Sequence, residues 1–176
     1  MAHHIYHTQG FIVAVKPKGE TNLFLKIFTR DFGMILATAQ GARKLASKTR
    51  FALGLYRVPE IDLIKTRDSF RVGAVRPEAH LLSRAETLAR AKVSALLARF
   101  VVSDEPHPKL FEDILKIFKN ENKNLDIVAM IVILHNLGYW HSTPADLEFI
   151  ETGILIGNQK RQIITRIDEV ISHIHL

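Results

Sequence analysis

Cysteine is absent from the 176 residues. No disulfide can brace the fold, and no thiolate zinc site or cysteine nucleophile can form. That fits a reducing compartment, a weak inference because many exported proteins also lack cysteine. Long hydrophobic runs are missing too. The longest, Ile127 to Leu134, falls far short of the roughly 20 residues needed to cross a bilayer, so it reads as the buried middle of a core helix. The opening Met1-Ala2-His3-His4-Ile5-Tyr6-His7 has no apolar stretch of the kind a secretory signal needs, and no leader is expected. Neither a repeat nor a low-complexity segment occurs. At 47% apolar and 24% charged residues the composition is that of a globular protein with one large or two small domains.

What the chain has is an uneven charge. Up to Arg76, 13 Lys and Arg stand against 5 Asp and Glu; from Pro77 onward the numbers are 11 and 13. The whole net charge of +6 therefore comes from the first part. A basic first half beside a nearly neutral second half points to a polyanion-binding surface on a docking or packing scaffold. A solvated basic face without a partner is the plainer alternative.

The hydrophobic period separates the same two parts. Phe11, Val13 and Val15 share a strand face, and Lys16-Pro17-Lys18-Gly19 supplies a turn. In the next strand Thr21, Leu23, Leu25, Ile27 and Thr29 point inward, while Asn22, Phe24, Lys26, Phe28 and Arg30 form the other face. Asp31-Phe32-Gly33 reads as a hairpin turn, Met34 to Gln40 as a third strand, and Gly41 to Arg50 as a loop. Leu53 to Thr66 and Ser69 to Arg76 complete five strands, the number of an OB-fold barrel. From Pro77 the spacing becomes helical. Leu81, Ala85, Leu88, Ala89, Lys92, Val93, Leu96, Leu97 and Phe100 mark one helix, with Ser83 and Glu86 as a capping box. Leu110 to Phe118 marks a second helix, Asp126 to Leu137 a third ended by Gly138, and Ile163 to Ile174 a last one; Tyr139 to Asn158 reads as irregular. The expected fold is α+β: a five-stranded OB-fold-like β-barrel over residues 1–78, then an all-helical domain over 79–176.

Two features could carry binding. Arg43, Lys44, Lys48 and Arg50 lie in one loop with small residues and no acid between them, suited to phosphate contacts by long cations and backbone N–H groups. Four such contacts would give a salt slope of about −3 to −4. The same loop could equally be a solubilising hairpin tip. On the outer face of the second strand, Phe24, Lys26, Phe28 and Arg30 alternate rings and cations, as in barrels that stack bases while tracking the backbone. The two rings could instead be packed under the helical domain. Tyr56 and Arg57, or Phe70 and Arg71, allow the same two readings.

Catalytic patterns are missing. Gly41-Ala42-Arg43-Lys44 has neither the glycine spacing nor the Lys-Ser/Thr pair of a phosphate-binding P-loop. Glu60, Asp62 and Lys65 have the wrong spacing for a nuclease set and suit the wet side of a sheet. The nine His form no metal-spaced group on one helix. Neither an enzyme, nor a cofactor, nor a metal is expected.

Four short stretches carry a family resemblance. His7-Thr8-Gln9-Gly10-Phe11-Ile12-Val13, Gly19-Glu20-Thr21-Asn22-Leu23, Phe28-Thr29-Arg30-Asp31-Phe32-Gly33 and Gln40-Gly41-Ala42-Arg43-Lys44 together resemble the N-terminal domain of the RecO family of recombination mediators. The resemblance is clear over about residues 5 to 50. Near the other end Leu137-Gly138-Tyr139 resembles the segment ahead of the family's zinc-binding insertion. It implies an OB-fold and a helical domain in a cytoplasmic, nucleoid-associated protein. It implies binding of single- and double-stranded DNA, strand annealing, and recombinase loading with RecR and single-strand-binding protein. On this chain Arg43 and Lys44 would contact phosphates; Lys48 and Arg50 extend that set by charge, and Gly19 and Gly41 would serve turns needing unusual backbone angles. The chain departs from the family where many members carry four zinc-binding Cys. Trp140 to Ile156 has none and offers His141, Asp146, Glu148 and Glu151 instead. The chain is also shorter than is usual for the family, which leaves the partner contacts of the helical domain open. A general RNA- or DNA-binding OB module, and a protein adapter without annealing activity, remain alternatives.

Overall fold

The computed structural model of the chain describes residues 4–45, 47, 49–79, 81–102, 104–119, 124–155 and 157–174. Two compact units emerge: Met1–Thr87 with Val101–Pro108, and Leu88–Phe100 with Lys109–Leu176.

The first unit is a closed five-stranded barrel. Its strands are β1 (Ile5–Lys18), β2 (Asn22–Thr29), β3 (Gly33–Ala39), β4 (Glu60–Lys65) and β5 (Phe70–Arg76), in the order β1-β2-β3-β5-β4. Only β3 and β5 run parallel. This is the expected OB-like barrel. One strand closes it: the first half of β1 pairs with β4, and the second half with β2. A register shift between Ile12 and Ala14 bends it from one partner to the other. The shift also explains why three successive side chains, Phe11, Ile12 and Val13, are buried. The inward face of β2 is as expected, with Leu23, Leu25 and Ile27 in the core beside Ile35, Ala37, Ile61, Leu63 and Val72.

Three local expectations are corrected. The strand expected from Leu53 shrinks to Glu60–Lys65. Leu53 enters the barrel core, Tyr56 takes a left-handed φ of 66°, and Pro59 has no N–H to donate. Backbone bonds such as Tyr56 N–H to the Ile12 carbonyl (3.0 Å) still tie this stretch to β1, which preserved a strand-like pattern. The basic loop contains a short helix, α1 (Thr49–Ala52). The stretch read as irregular holds a helix, α5 (Pro144–Thr152).

The second unit is helical. Helix α2 (Arg84–Phe100) starts at the expected capping box: Ser83 N–H donates to the Glu86 carboxylate (2.7 Å), and Glu86 N–H to Ser83 Oγ (3.2 Å). Its buried positions are Arg90, Val93, Ser94, Leu97 and Phe100, a face rotated from the expected one, so Leu88 is exposed. Helix α3 (Pro108–Lys119) buries Leu110, Phe111, Ile114 and Ile117. The nearly all-apolar α4 (Leu125–Asn136) forms the centre of the unit, packing against α5 and α6 (Gln159–His173). No helix among the described residues is long and apolar enough to cross a membrane.

Ion pairs trim this unit. The Asp113 carboxylate accepts from Lys116 Nζ (3.0 Å) and Asn136 Nδ2 (3.3 Å); Asp126 accepts from Lys92 Nζ (3.0 Å). Burial pushes both carboxyls up, but these hydrogen bonds and charges outweigh it and hold both below the usual carboxylate value. A carboxyl lowered in the folded state adds stability that is complete above about pH 4 and is lost as pH falls through its native value. Asp113→Asn is therefore expected to flatten part of the acid limb of a stability–pH profile measured by urea titration. The effect should be small, because the ammonium partners are exposed.

Candidate nucleic-acid interface

Strand register assembles a site that no single segment contains. On the outer face of the barrel Phe24 of β2 sits opposite Lys16 of β1 and Thr38 of β3. Thr38 in turn sits beside Arg71 of β5. Lys16, Phe24, Thr38 and Arg71 thus form one row across four strands. Three strand spacings make it about 14 Å long. Lys18, at the end of β1, donates to Thr38 Oγ1 (3.2 Å) and places its ammonium 5.6 Å from the centre of the Phe24 ring. Lys26 and its register partner Leu36 follow in the next row.

The basic loop is tied to the same end of the barrel. Arg43 N–H donates to the Thr21 carbonyl (2.9 Å), and Arg43 Nη1 donates to the Gly19 carbonyl (2.8 Å) in the β1–β2 turn. Gly41 N–H donates to Asn22 Oδ1 (2.9 Å). Gly19 and Gly41 have φ of +62° and +64°, the left-handed turn geometry expected of them. Successive turns then coil the chain: Lys44 N–H donates to Gly41 O, Ser47 N–H to Lys44 O and Arg50 N–H to Ser47 O. Ala42 and Leu53 anchor the two ends of this coil in the barrel core. Arg43, Lys44 and Arg50 are exposed on it, while Lys48 lies outside the described residues.

The expected site residues therefore divide. Arg43 adjoins the turn that carries Lys18, and Phe24 and Lys26 share the outer face with the row. Arg30 stands beyond the far end of β2, six residues or about 20 Å from Phe24. Phe28 has no exposed surface and packs rather than offering its ring. Lys16 and Lys18 stand outside the expected set, whereas Arg71, offered with Phe70 as a second ring-and-cation pair, joins the row. Lys16-Pro17-Lys18-Gly19 reads locally as a turn, and only register shows that its cations flank Phe24.

Acidic side chains gather elsewhere. Asp62 pairs with His7 (2.6 Å), Glu60 with Arg76 (2.8 Å), and Asp31 accepts from Thr8 Oγ1 (2.6 Å), all around the first half of β1 and its neighbour β4. Glu60 and Asp62 thus each have a cationic or imidazole partner on the sheet surface. Glu20, in the β1–β2 turn, is an exposed acid near the cations. Among the described residues no three His, Cys, Asp or Glu side chains come together as metal ligands. The row and Lys18 thus set three cations and one aromatic ring on a single face of the barrel.

Residues 1–66 match the family model described as "Recombination protein O N terminal". Proteins named "DNA repair protein RecO" are similar over longer stretches. One from Desulfitobacterium hafniense is 27% identical over 154 residues, covering 85% of this chain and 56% of its own length. One from Bacillus subtilis is 28% identical over 141 residues, 74% of this chain and 53% of the relative. One from Cupriavidus metallidurans is 32% identical over 108 residues, 58% of this chain and 35% of the relative. The chain spans about half the length of the first two. The barrel domain thus resembles the N-terminal domain of RecO proteins, and the likeness to those relatives runs on into the helices.

Proposed function

We propose that the chain binds single- and double-stranded DNA in repair and recombination, gripping the phosphate backbone on the outer face of its barrel and promoting annealing of complementary strands. The observation that carries this reading is the row Lys16–Phe24–Thr38–Arg71 with Lys18 over Phe24, at the end of the barrel where Arg43 joins the same turn. The name of the relatives, DNA repair protein RecO, supports the setting. The family resemblance adds a RecR-like protein and single-strand-binding protein as partners in recombinase loading, with no covalent step.

Annealing needs only electrostatics. Two strands repel through their phosphates, and a cationic surface that neutralises both lowers the cost of their encounter. Backbone contacts carry no sequence information, so little base preference is expected.

The test is binding and annealing of complementary oligonucleotides across a salt series. Three proteins are compared: wild type, a Lys16→Ala/Lys18→Ala/Arg71→Ala variant, and a loop variant with Arg43, Lys44, Lys48 and Arg50 all changed to Ala. Each single-strand phosphate contact contributes about 0.7 to the salt slope, so the row variant should lose about 2 from it, together with annealing. Loss confined to the loop variant would move the site off the row. No DNA binding by wild type at low salt would overturn the reading and favour a protein adapter.

A further inference from the structure

Most phenylalanines of the barrel unit are already occupied. Phe11 and Phe28 are fully buried. Phe32 packs between Tyr6 and Phe70, with ring centres 5.2 and 5.5 Å away. Phe24 carries the Lys18 ammonium over its ring. Phe51 is different. It lies on α1 with 83% of its surface exposed, and Leu45, in the preceding turn, is 95% exposed. Among the described residues no ring or cation is stacked on Phe51.

The mounting of this open ring is firm. Ala52, next to Phe51, is buried, and Leu53 is in the barrel core. Helix α1 packs against β5, the strand that carries Arg71. Exposed cations adjoin the ring in the chain: Arg50 directly precedes Phe51, and Arg43 and Lys44 lie earlier in the same loop. The coil also adjoins the strand ends beside the cationic row: Asn22 of β2 accepts from Gly41, and Gly19 at the β1–β2 turn accepts from Arg43.

We infer that Phe51 is a base-stacking residue, the point at which an unpaired nucleotide leaves the phosphate-gripping row and lays its base on the protein. The occupant is single-stranded nucleic acid, because cations flanking an exposed ring match a phosphate backbone with bases free to splay out. A duplex keeps its bases stacked and gains nothing from the ring. Phe51 thus gives the surface a preference for single strands that charge alone does not supply. The inference rests on the nucleic-acid reading above, and its test separates the two.

The experiment measures binding of fluorescein-labelled oligo-dT and of a blunt duplex by wild type, Phe51→Ala and Phe51→Tyr. Circular dichroism melts check that each protein is folded. Phe51→Ala is expected to weaken oligo-dT binding about tenfold, with the salt slope and duplex affinity unchanged. Phe51→Tyr keeps a ring and should bind as wild type does. Equal weakening for oligo-dT and duplex, or none for either, overturns the stacking role while leaving the DNA-binding function standing. Wild type that binds neither probe at low salt overturns both. A further arm floats the proteins with anionic phosphatidylserine vesicles: Phe51-dependent flotation with unchanged oligo-dT affinity assigns the ring to a lipid surface and overturns the inference.

Discussion

Gly33→Ala should destabilise the barrel unit by about 4 kcal/mol, a loss large enough to diagnose a steric cause. Two costs combine at this position. Gly33 closes the three-residue turn between β2 and β3 with φ +62°, a conformation that costs an L-residue about 1 to 2 kcal/mol. A Cβ there would also collide with the Glu105 carbonyl oxygen and lie 2.8 Å from the Asp104 carbonyl carbon. Both obstacles are backbone and cannot swing away as a side-chain tip can. The turn itself resists adjustment. Buried Thr29 accepts from Phe32 N–H (3.0 Å) and donates to the Gly33 carbonyl (2.9 Å). The segment 101–108 must therefore shift from the turn, or the turn must open. Gly19→Ala is the control: its φ is also +62°, but nothing lies within 4 Å of the added carbon, so about 1 kcal/mol is expected. Urea titration of the two variants beside wild type measures the difference. Equal losses would show that backbone strain alone acts at Gly33.

How much of this was legible follows from the range of the interactions. The inward face of β2 could be read because alternation along a strand is a local property, and Leu23, Leu25 and Ile27 repeat it without interruption. The Ser83–Glu86 box and the turn ending at Gly33 were legible for the same reason. The Tyr56 turn was not, because a left-handed non-glycine residue leaves no compositional mark. Helix α5 did leave signals: Thr143 caps it, Pro144 opens it, and Gly153 ends it with φ 67°. They were outweighed by a weak apolar period, since only Asp146 and Phe149 are buried on it. The cationic row lies beyond any local reading. Lys16, Phe24, Thr38 and Arg71 become neighbours only through the bulge in β1 and the parallel pairing of β3 with β5.

Asp146→Ala is expected to cost the helical unit about 3 kcal/mol, reported directly by the chain's single tryptophan. Asp146 is 2% exposed, and its carboxylate serves three donors. It accepts Thr143 N–H (2.8 Å), completing the α5 capping box, and Trp140 Nε1–H (3.3 Å). Arg166 Nη1 of α6 reaches both oxygens, at 3.2 and 3.3 Å, while its guanidinium lies 4.3 Å from the centre of the Trp140 ring. One carboxylate thus joins the segment after α4 to two later helices. Removing it strands the buried Trp140 N–H, worth about 1 to 3 kcal/mol, and loses a cap worth about 1 kcal/mol. The Arg166 side chain is 41% exposed and can turn back to water, which keeps the total below that of a fully buried broken pair. Asp146→Asn keeps the shape and an acceptor for Thr143, so it should cost less. The stretch holding this staple contains no cysteine, and EDTA is expected to leave the wild-type melt unchanged. A double-mutant cycle of Asp146→Ala and Arg166→Ala, followed by tryptophan emission in urea, should yield a coupling of about 1 to 2 kcal/mol. Strict additivity would mean that the cap and the indole bond hold the segment without the arginine.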